Sequence, residues 1–170
     1  YHGGKMISHC ALCSLCQNQP PLLDKAKTCD VMWVGLSAKK VLDVKKNTPL
    51  EADTPTGKII KEIEESLPNV KFYKTNLVKC LPLNEKGKLR YPTKEECLTC
   101  LDNLLKEIKE LHPKVIVLLG KKVSSYVLKG KEQIDASFIH ALHPSYIYVY
   151  KRNSILEYEK NLKQEIEKYL

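Results

Sequence analysis

No apolar run in this 170-residue chain approaches the roughly 18 residues that a membrane-crossing helix needs. The opening, Tyr1-His2-Gly3-Gly4-Lys5-Met6, also lacks the charged and apolar regions of a secretory signal. The expectation is therefore a soluble protein of the cytoplasm with no membrane partner. Met6 is read as the natural start and residues 1–5 as an expression remnant. Internal repeats and low-complexity linkers are missing too, which leaves residues 1–170 as one expected domain. Arginine is scarce: of 28 basic residues only Arg90 and Arg152 carry a guanidinium. Glutamine is equally rare beside abundant Lys and Glu, a bias shared by heat-adapted proteins and AT-rich genomes. With 43% hydrophobic residues, wholesale disorder is excluded.

What is present starts with charge and cysteine. A net charge of +8 points to a polyanionic partner or an acidic surface. A chain of this size buries roughly 70% of the surface its unfolded form exposes, so its core needs no disulfides. The seven cysteines call for another explanation.

Four short β-branched or aromatic runs alternate with segments of helical period. That alternation predicts an α/β fold, a three-layer α/β/α sandwich around a central, mostly parallel four-stranded sheet. The expected strands are Val31–Gly35, Val70–Thr75, Val115–Leu119 and Phe138–Leu142. The third has no polar interruption, as a central strand covered on both faces requires. Between them, Ile59, Ile60, Ile63 and Leu67 mark a helix over Thr56–Leu67. Thr93 with Glu96 forms a capping-box pattern before a helix that Pro113 stops. A short helix runs through Val123 and Val127. A closing helix over Ser154–Leu170 is expected to turn Ile155, Leu156, Tyr158, Leu162, Ile166 and Tyr169 inward. Tyr146, Tyr148 and Tyr150 alternate like a strand. Ligands of open α/β sheets sit at the carboxyl ends of the strands, so the segments to watch are Gly35-Leu36-Ser37-Ala38, Thr75-Asn76, Gly120-Lys121-Lys122 and His143-Pro144-Ser145.

Cys10 and Cys13 form a C-x-x-C, Cys16 extends it, Cys29 lies alone, Cys80 follows the second strand, and Cys97 and Cys100 lie one helical turn apart. Disulfides do not suit an intracellular protein. A C-x-x-C at one end and single cysteines elsewhere can converge as four thiolates, suited to an iron-sulfur cluster or to tetrahedral zinc. Ligand type alone does not separate the two. Cys29 and Cys97 also read as ordinary buried cysteines.

Thr75-Asn76-Leu77-Val78-Lys79-Cys80-Leu81-Pro82 resembles the T-N-x-x-K-C-x-P segment of the iron-sulfur uracil-DNA glycosylases, family 4 of that superfamily. Pro92-Thr93-Lys94-Glu95-Glu96 leading to Cys100, then Leu104, Ile108 and Pro113–Gly120, is similar to the same family in order and spacing. His143-Pro144-Ser145-Tyr146 resembles its late H-P-S motif, and Cys10-x-x-Cys13-x-Leu15 its opening. The resemblance implies a structural 4Fe-4S cluster on Cys10, Cys13, Cys80 and Cys100, with Cys97 in reserve and zinc as the alternative metal. It also implies two departures. The family's glycine-glutamate-alanine-proline-glycine appears as Gly35-Leu36-Ser37-Ala38-Lys39, without the acid and closer to the carboxylate-free family 5. The family's Pro-Phe, whose ring stacks on the base, appears as Pro49-Leu50.

The enzyme so implied is a monofunctional glycosylase of base excision repair, monomeric and nucleoid-associated in a prokaryote, acting on a uracil or related deaminated base flipped out of DNA. A carboxamide can match the N3–H and O4 of uracil together, which makes Asn76 the base reader. Bond cleavage puts negative charge on the base, and His143 is the donor expected at its O2. Gly35, Leu36, Ser37, Leu50 and Ser145 complete the expected base pocket, with backbone N–H groups near Leu36 and Ser37 as further donors. Asp43, Glu51 and Asp53 are candidates for placing water. Lys39, Lys40, Lys45, Lys46, Lys121, Lys122, Lys151 and Arg152 are the expected phosphate contacts, and Tyr146 or Ile147 the side chain inserted into the vacated stack. Two other readings stay open: a catalytically weak nucleic-acid-binding module of the same fold, and a zinc-stabilised nucleotide-binding α/β domain.

Overall fold

The computed structural model describes residue 15, residues 28–37, 49–50 and 54–170. Its centre is a four-stranded sheet in which every pairing is parallel: β1 (Val31–Ser37), β2 (Phe72–Val78), β3 (Val115–Leu119) and β4 (Ser137–Ala141), in the order β2-β1-β3-β4. Five α-helices accompany it: α1 (Pro55–Glu65), α2 (Lys94–Leu111), α3 (Lys121–Val127), α4 (Pro144–Tyr150) and α5 (Ile155–Tyr169).

The period-2 alternation of the central strands divides the core. Met32 and Val34 of β1, with Ile116 and Leu118 of β3, point to a layer built by α2 and α3. Val31 and Trp33, with Val115, Val117 and Leu119, point to the layer of α1 and α5. Val31–Gly35 of β1 and all of β3 are buried on both faces, which is why those stretches carry no polar residue. The three layers expected from the alternation of runs are thus present.

Local signals place the helix ends. Thr54 caps α1 through Gly57 N–H at 3.0 Å, with Pro55 in the first turn. At α2 the box is reciprocal: Glu96 N–H donates to Thr93 Oγ1 (3.2 Å) and Thr93 N–H to Glu96 Oε1 (2.8 Å). The Arg90 guanidinium grips the same carboxylate at 2.8 and 3.0 Å and holds it below the usual carboxylate range. His112, left-handed at φ 51°, closes the helix before Pro113.

Four expectations need correction. The carboxyl ends of β1 and β2 run further than Gly35 and Thr75, to Ser37 and Val78. Leu77 and Val78 continue the apolar pattern and no turn residue intervenes, so Asn76 lies within β2 rather than after it. β4 begins and ends one residue earlier than expected, at Ser137 and Ala141. Tyr146, Tyr148 and Tyr150 belong to helix α4, because Pro144 fixes its first turn and His143 caps it. In α5 only Leu162 and Ile166 are buried; Leu156 is 79% exposed and Tyr169 40%. At about 100° per residue Leu156 lies off the stripe that Ile155, Tyr158, Leu162 and Ile166 share, and Tyr169 lies on that stripe but in the last turn.

Candidate active site at the carboxyl edge of the sheet

All four strands point their carboxyl ends to one edge, and the expected site residues gather there. Gly35 and Asn76 are register partners on β1 and β2. Asn76 is a polar side chain only 2% exposed, and the reason it fits is its partner's missing side chain. A Cβ on Gly35 would meet Asn76 Oδ1 at 2.5 Å and Leu50 Cδ2 at 3.5 Å. Carboxamide, glycine and Leu50 therefore form one contiguous surface. Leu50 holds a positive φ of 53°, which fixes its side chain over this spot at the cost of some backbone strain. Leu36 is half-buried against the α2/α3 layer. Ser37 follows it at the end of β1, in register with Val78.

The opposite half of the edge comes from β3 and β4. Gly120 (φ 109°) ends β3, and a Cβ there would lie 3.8 Å from His143 Cβ, so the β4–α4 junction folds back over the end of β3. This brings His143 beside the carboxyl end of β3, with β1 between β3 and β2 in the sheet order. His143 is the N-cap of α4: Ser145 N–H donates to its Nδ1 at 3.1 Å. A backbone N–H can only donate, so Nδ1 keeps its lone pair and the neutral ring carries its proton on Nε2. The Ser145 hydroxyl, 2.7 Å from the same Nδ1, adds a second restraint. Pro144 has no N–H to compete for the cap and is buried. The His-Pro-Ser sequence is thus a device that presents an imidazole N–H donor in one orientation. His140, by contrast, is exposed and meets Ser124 Oγ at 3.2 Å.

Sequence reasoning missed a buried polar network beneath Asn76. Lys79 Nζ lies 2.9 Å from Glu107 Oε1 of α2 and donates to the Asn76 carbonyl at 2.8 Å. The Thr75 hydroxyl donates to Glu107 Oε1 (2.9 Å) and the Tyr73 hydroxyl to Oε2 (2.5 Å). Glu107 reads as one more solvated acid on a Lys/Glu-rich helix; only Leu104 three residues before it and Leu111 four after it hint that it faces inward.

Of the expected metal ligands, Cys80 and Cys100 are buried in the same α2/α3 layer as Leu15, while Cys10 and Cys13 lie outside the described residues. Among the described residues, no three His, Cys, Asp or Glu side chains gather in a metal-holding group. Cys97 is fully buried, and burial pushes its thiol up, with Glu96 adding to the rise and Lys122 and a hydrogen bond from Tyr126 opposing it.

Of the expected DNA contacts, Lys121 and Lys122 open α3 in full exposure, and Lys122 Nζ stands 3.5 Å over the exposed Tyr91 ring. Lys151 and Arg152 are exposed after α4, with Arg152 over Tyr148 at 4.3 Å. Lys39, Lys40, Lys45 and Lys46, with Asp43, Glu51 and Asp53, lie outside the described residues. Ile147 is buried under α4 and is removed as an inserting side chain; Tyr146, 42% exposed and 5.2 Å from the Tyr150 ring, remains available.

The carboxyl edge of this parallel α/β sandwich thus carries a buried carboxamide on β2 and a tautomer-fixed imidazole at the β4–α4 junction. The chain belongs to the uracil DNA glycosylase superfamily, whose family model matches residues 23–170. It is similar to the type-4 uracil-DNA glycosylase of Thermotoga maritima, 32% identical over 127 residues that make up 66% of this chain and 62% of that protein. The type-4 enzyme of Archaeoglobus fulgidus is 30% identical over 126 residues, 71% of this chain and 59% of that one. The chain thus spans about three fifths of the length of these relatives. The crystal structure of wild-type Pedobacter heparinus SMUG2 shares the fold, with a TM-score of 0.63 at 13% identity over 82% of this chain and 75% of that one. Among the described residues no helix is long and apolar enough to cross a membrane.

Proposed function

We propose that the protein excises uracil, or a related deaminated base, from DNA by hydrolysing the N-glycosidic bond of a flipped nucleotide. The observation that carries this is the facing pair at the sheet edge. The Asn76 carboxamide is held against Gly35, and His143 is held as an Nε2–H donor by Ser145. Both groups stand at the carboxyl edge of the sheet, Asn76 beside Gly35 and His143 beside Gly120.

In this reading Asn76 accepts from N3–H and donates to O4 of uracil, a pattern that cytosine reverses. As the bond between C1′ and N1 breaks, its electron pair stays with the base. His143 Nε2–H, pointing at O2, stabilises the charge where it develops. Water oxygen bonds to C1′, and its proton leaves to solvent. A cationic, dissociating sugar needs little help from a base, so Leu36 in the place of an acid is compatible with turnover. Leu50 covers the base without aromatic stacking. Lys121, Lys122, Lys151 and Arg152 supply exposed charge for phosphates, with Lys39 and Lys40 in the same role, and Tyr146 fills the vacated stack. The protein works as a monomer in the prokaryotic cytoplasm.

Cys80 and Cys100, buried with Leu15 in one core layer, suit a metal group completed by Cys10 and Cys13. A 4Fe-4S cluster there would cross-link the first segment to the β2 end and to α2; its role is structural. Cys97 packs in the core instead.

The test is a DNA strand with one uracil, incubated with the protein and cleaved with alkali at the abasic site. His143→Ala is expected to lower the single-turnover rate by about 10²–10³, the effect of removing one donor from a developing charge. Equal cleavage by wild type and His143→Ala on uracil, hypoxanthine and mismatched thymine would overturn the proposal. Tight, salt-sensitive binding without base release would point instead to a binding module.

A further inference from the structure

We infer that the buried Lys79–Glu107 pair is a positioning device for the base reader, setting the rate and base selectivity through Asn76. The inference rests on the excision reading above. Removing two opposite charges from water costs more than a well-packed apolar pair would, so a buried ion pair is weak evidence of stabilisation. Here the pair occupies an unusual place. Lys79 is only 5% exposed and Glu107 only 1%, yet the ammonium points back along its own strand to the carbonyl of Asn76. Glu107 is itself fixed by two hydroxyls from β2, Tyr73 and Thr75. The carboxylate therefore touches β2 at positions 73 and 75 and Lys79 just beyond its end, all through side chains, and spans the residue that reads the base.

Asn76 is consequently clamped from two directions. Its side chain rests on the bare face of Gly35, and its peptide carbonyl is drawn toward Lys79. A carboxamide has to be set in angle as well as in place to offer one acceptor and one donor to adjacent atoms of one ring. Two hydrogen bonds to one planar edge tolerate little rotation. Small misplacements of a positioning group carry large penalties in rate. Neither Lys79 nor Glu107 reaches the base; both act through Asn76.

The test uses the full chain, matched in metal content, with Lys79→Met/Glu107→Gln. The amide at 107 keeps hydrogen-bond partners for Tyr73 and Thr75, and no unpaired charge is left inside. Expected are a melting temperature near wild type, an unchanged Kd for uracil DNA, and a single-turnover rate lower by about 10- to 100-fold. The preference for uracil over cytosine narrows, and the side-chain NH2 signals of Asn76 in a 15N–1H spectrum shift or broaden. Tyr73→Phe, which removes one hydroxyl from Glu107 and leaves the ion pair intact, shifts the same quantities less and stands in if the double variant unfolds. Wild-type rate, selectivity and Asn76 signals in the folded variants would overturn the inference. A wild type that releases no base would defeat the excision reading alone, because the Asn76 signals still decide whether the pair positions the carboxamide.

Discussion

Gly35→Ala is the smallest change that separates chemistry from fold in this protein. Glycine is not required at this position by a left-handed backbone, since the residue lies inside β1, so the effect of alanine is steric. The added methyl would stand 2.5 Å from Asn76 Oδ1, against 3.4 Å or more for an ordinary contact. One of the two must move by roughly 1 Å, and the register partner Asn76, tied below by Lys79, has little room. Overpacking of this size costs about 1–3 kcal/mol of stability, which leaves a folded protein at 25 °C if the whole domain has the usual ~5–15 kcal/mol. A displacement of about 1 Å at a positioning group costs about 100-fold in rate. Single-turnover excision from a uracil strand, with DNA affinity measured by anisotropy and Tm measured alongside, reads all three. The expected result is a large loss of rate with nearly unchanged DNA affinity. An alanine variant that folds and excises uracil at the wild-type rate would refute the close packing of Gly35 against the carboxamide.

Cys100→Ser is expected to reduce bound iron and the broad absorbance near about 400 nm, while Cys97→Ser leaves both intact; the opposite pattern would move the ligand to Cys97. The α1–α5 contact gives a pH dependence. Glu159 Oε2 is enclosed without a hydrogen-bond partner among the described residues, and burial beside Glu62 raises its carboxyl to about 8. The folded state then keeps a proton that the unfolded chain releases near 4.5, so stability falls as pH rises between those values and levels off above 8. Glu159→Gln removes that slope. After allowance for solvent screening the gain at pH 8.5 is about 1 kcal/mol, or about 2–4 °C in Tm. Thermal melts at pH 5 and 8.5 check it, and a variant whose advantage does not grow with pH contradicts the assignment.

The sequence was most readable where one local signal acted alone. The unbroken Val115–Leu119 run became a central strand, and Thr93 with Glu96 became a reciprocal cap. It misled where two signals competed. The alternating tyrosines after His143 have strand periodicity, but proline in the first turn and a capping side chain before it decide for a helix. Asn76 looked like a turn residue because asparagine is rare in strands; pairing with a glycine makes room for it inside β2. The Lys79–Glu107 pair was out of reach because its partners lie on different elements and carry the residue types of ordinary surface.

The strand order places the two proposed chemical groups on opposite margins of the sheet. Among the described residues Asn76 belongs to edge strand β2, and His143 follows edge strand β4, with β1 and β3 between them. Margins open at lower free energy than centres. Warming is therefore expected to loosen the strands that carry the proposed reader and donor while the central pair still holds, so that excision is lost below the melting temperature. The same separation ties competence to completeness: a growing chain acquires the reader early but lacks the donor until its last strand has docked.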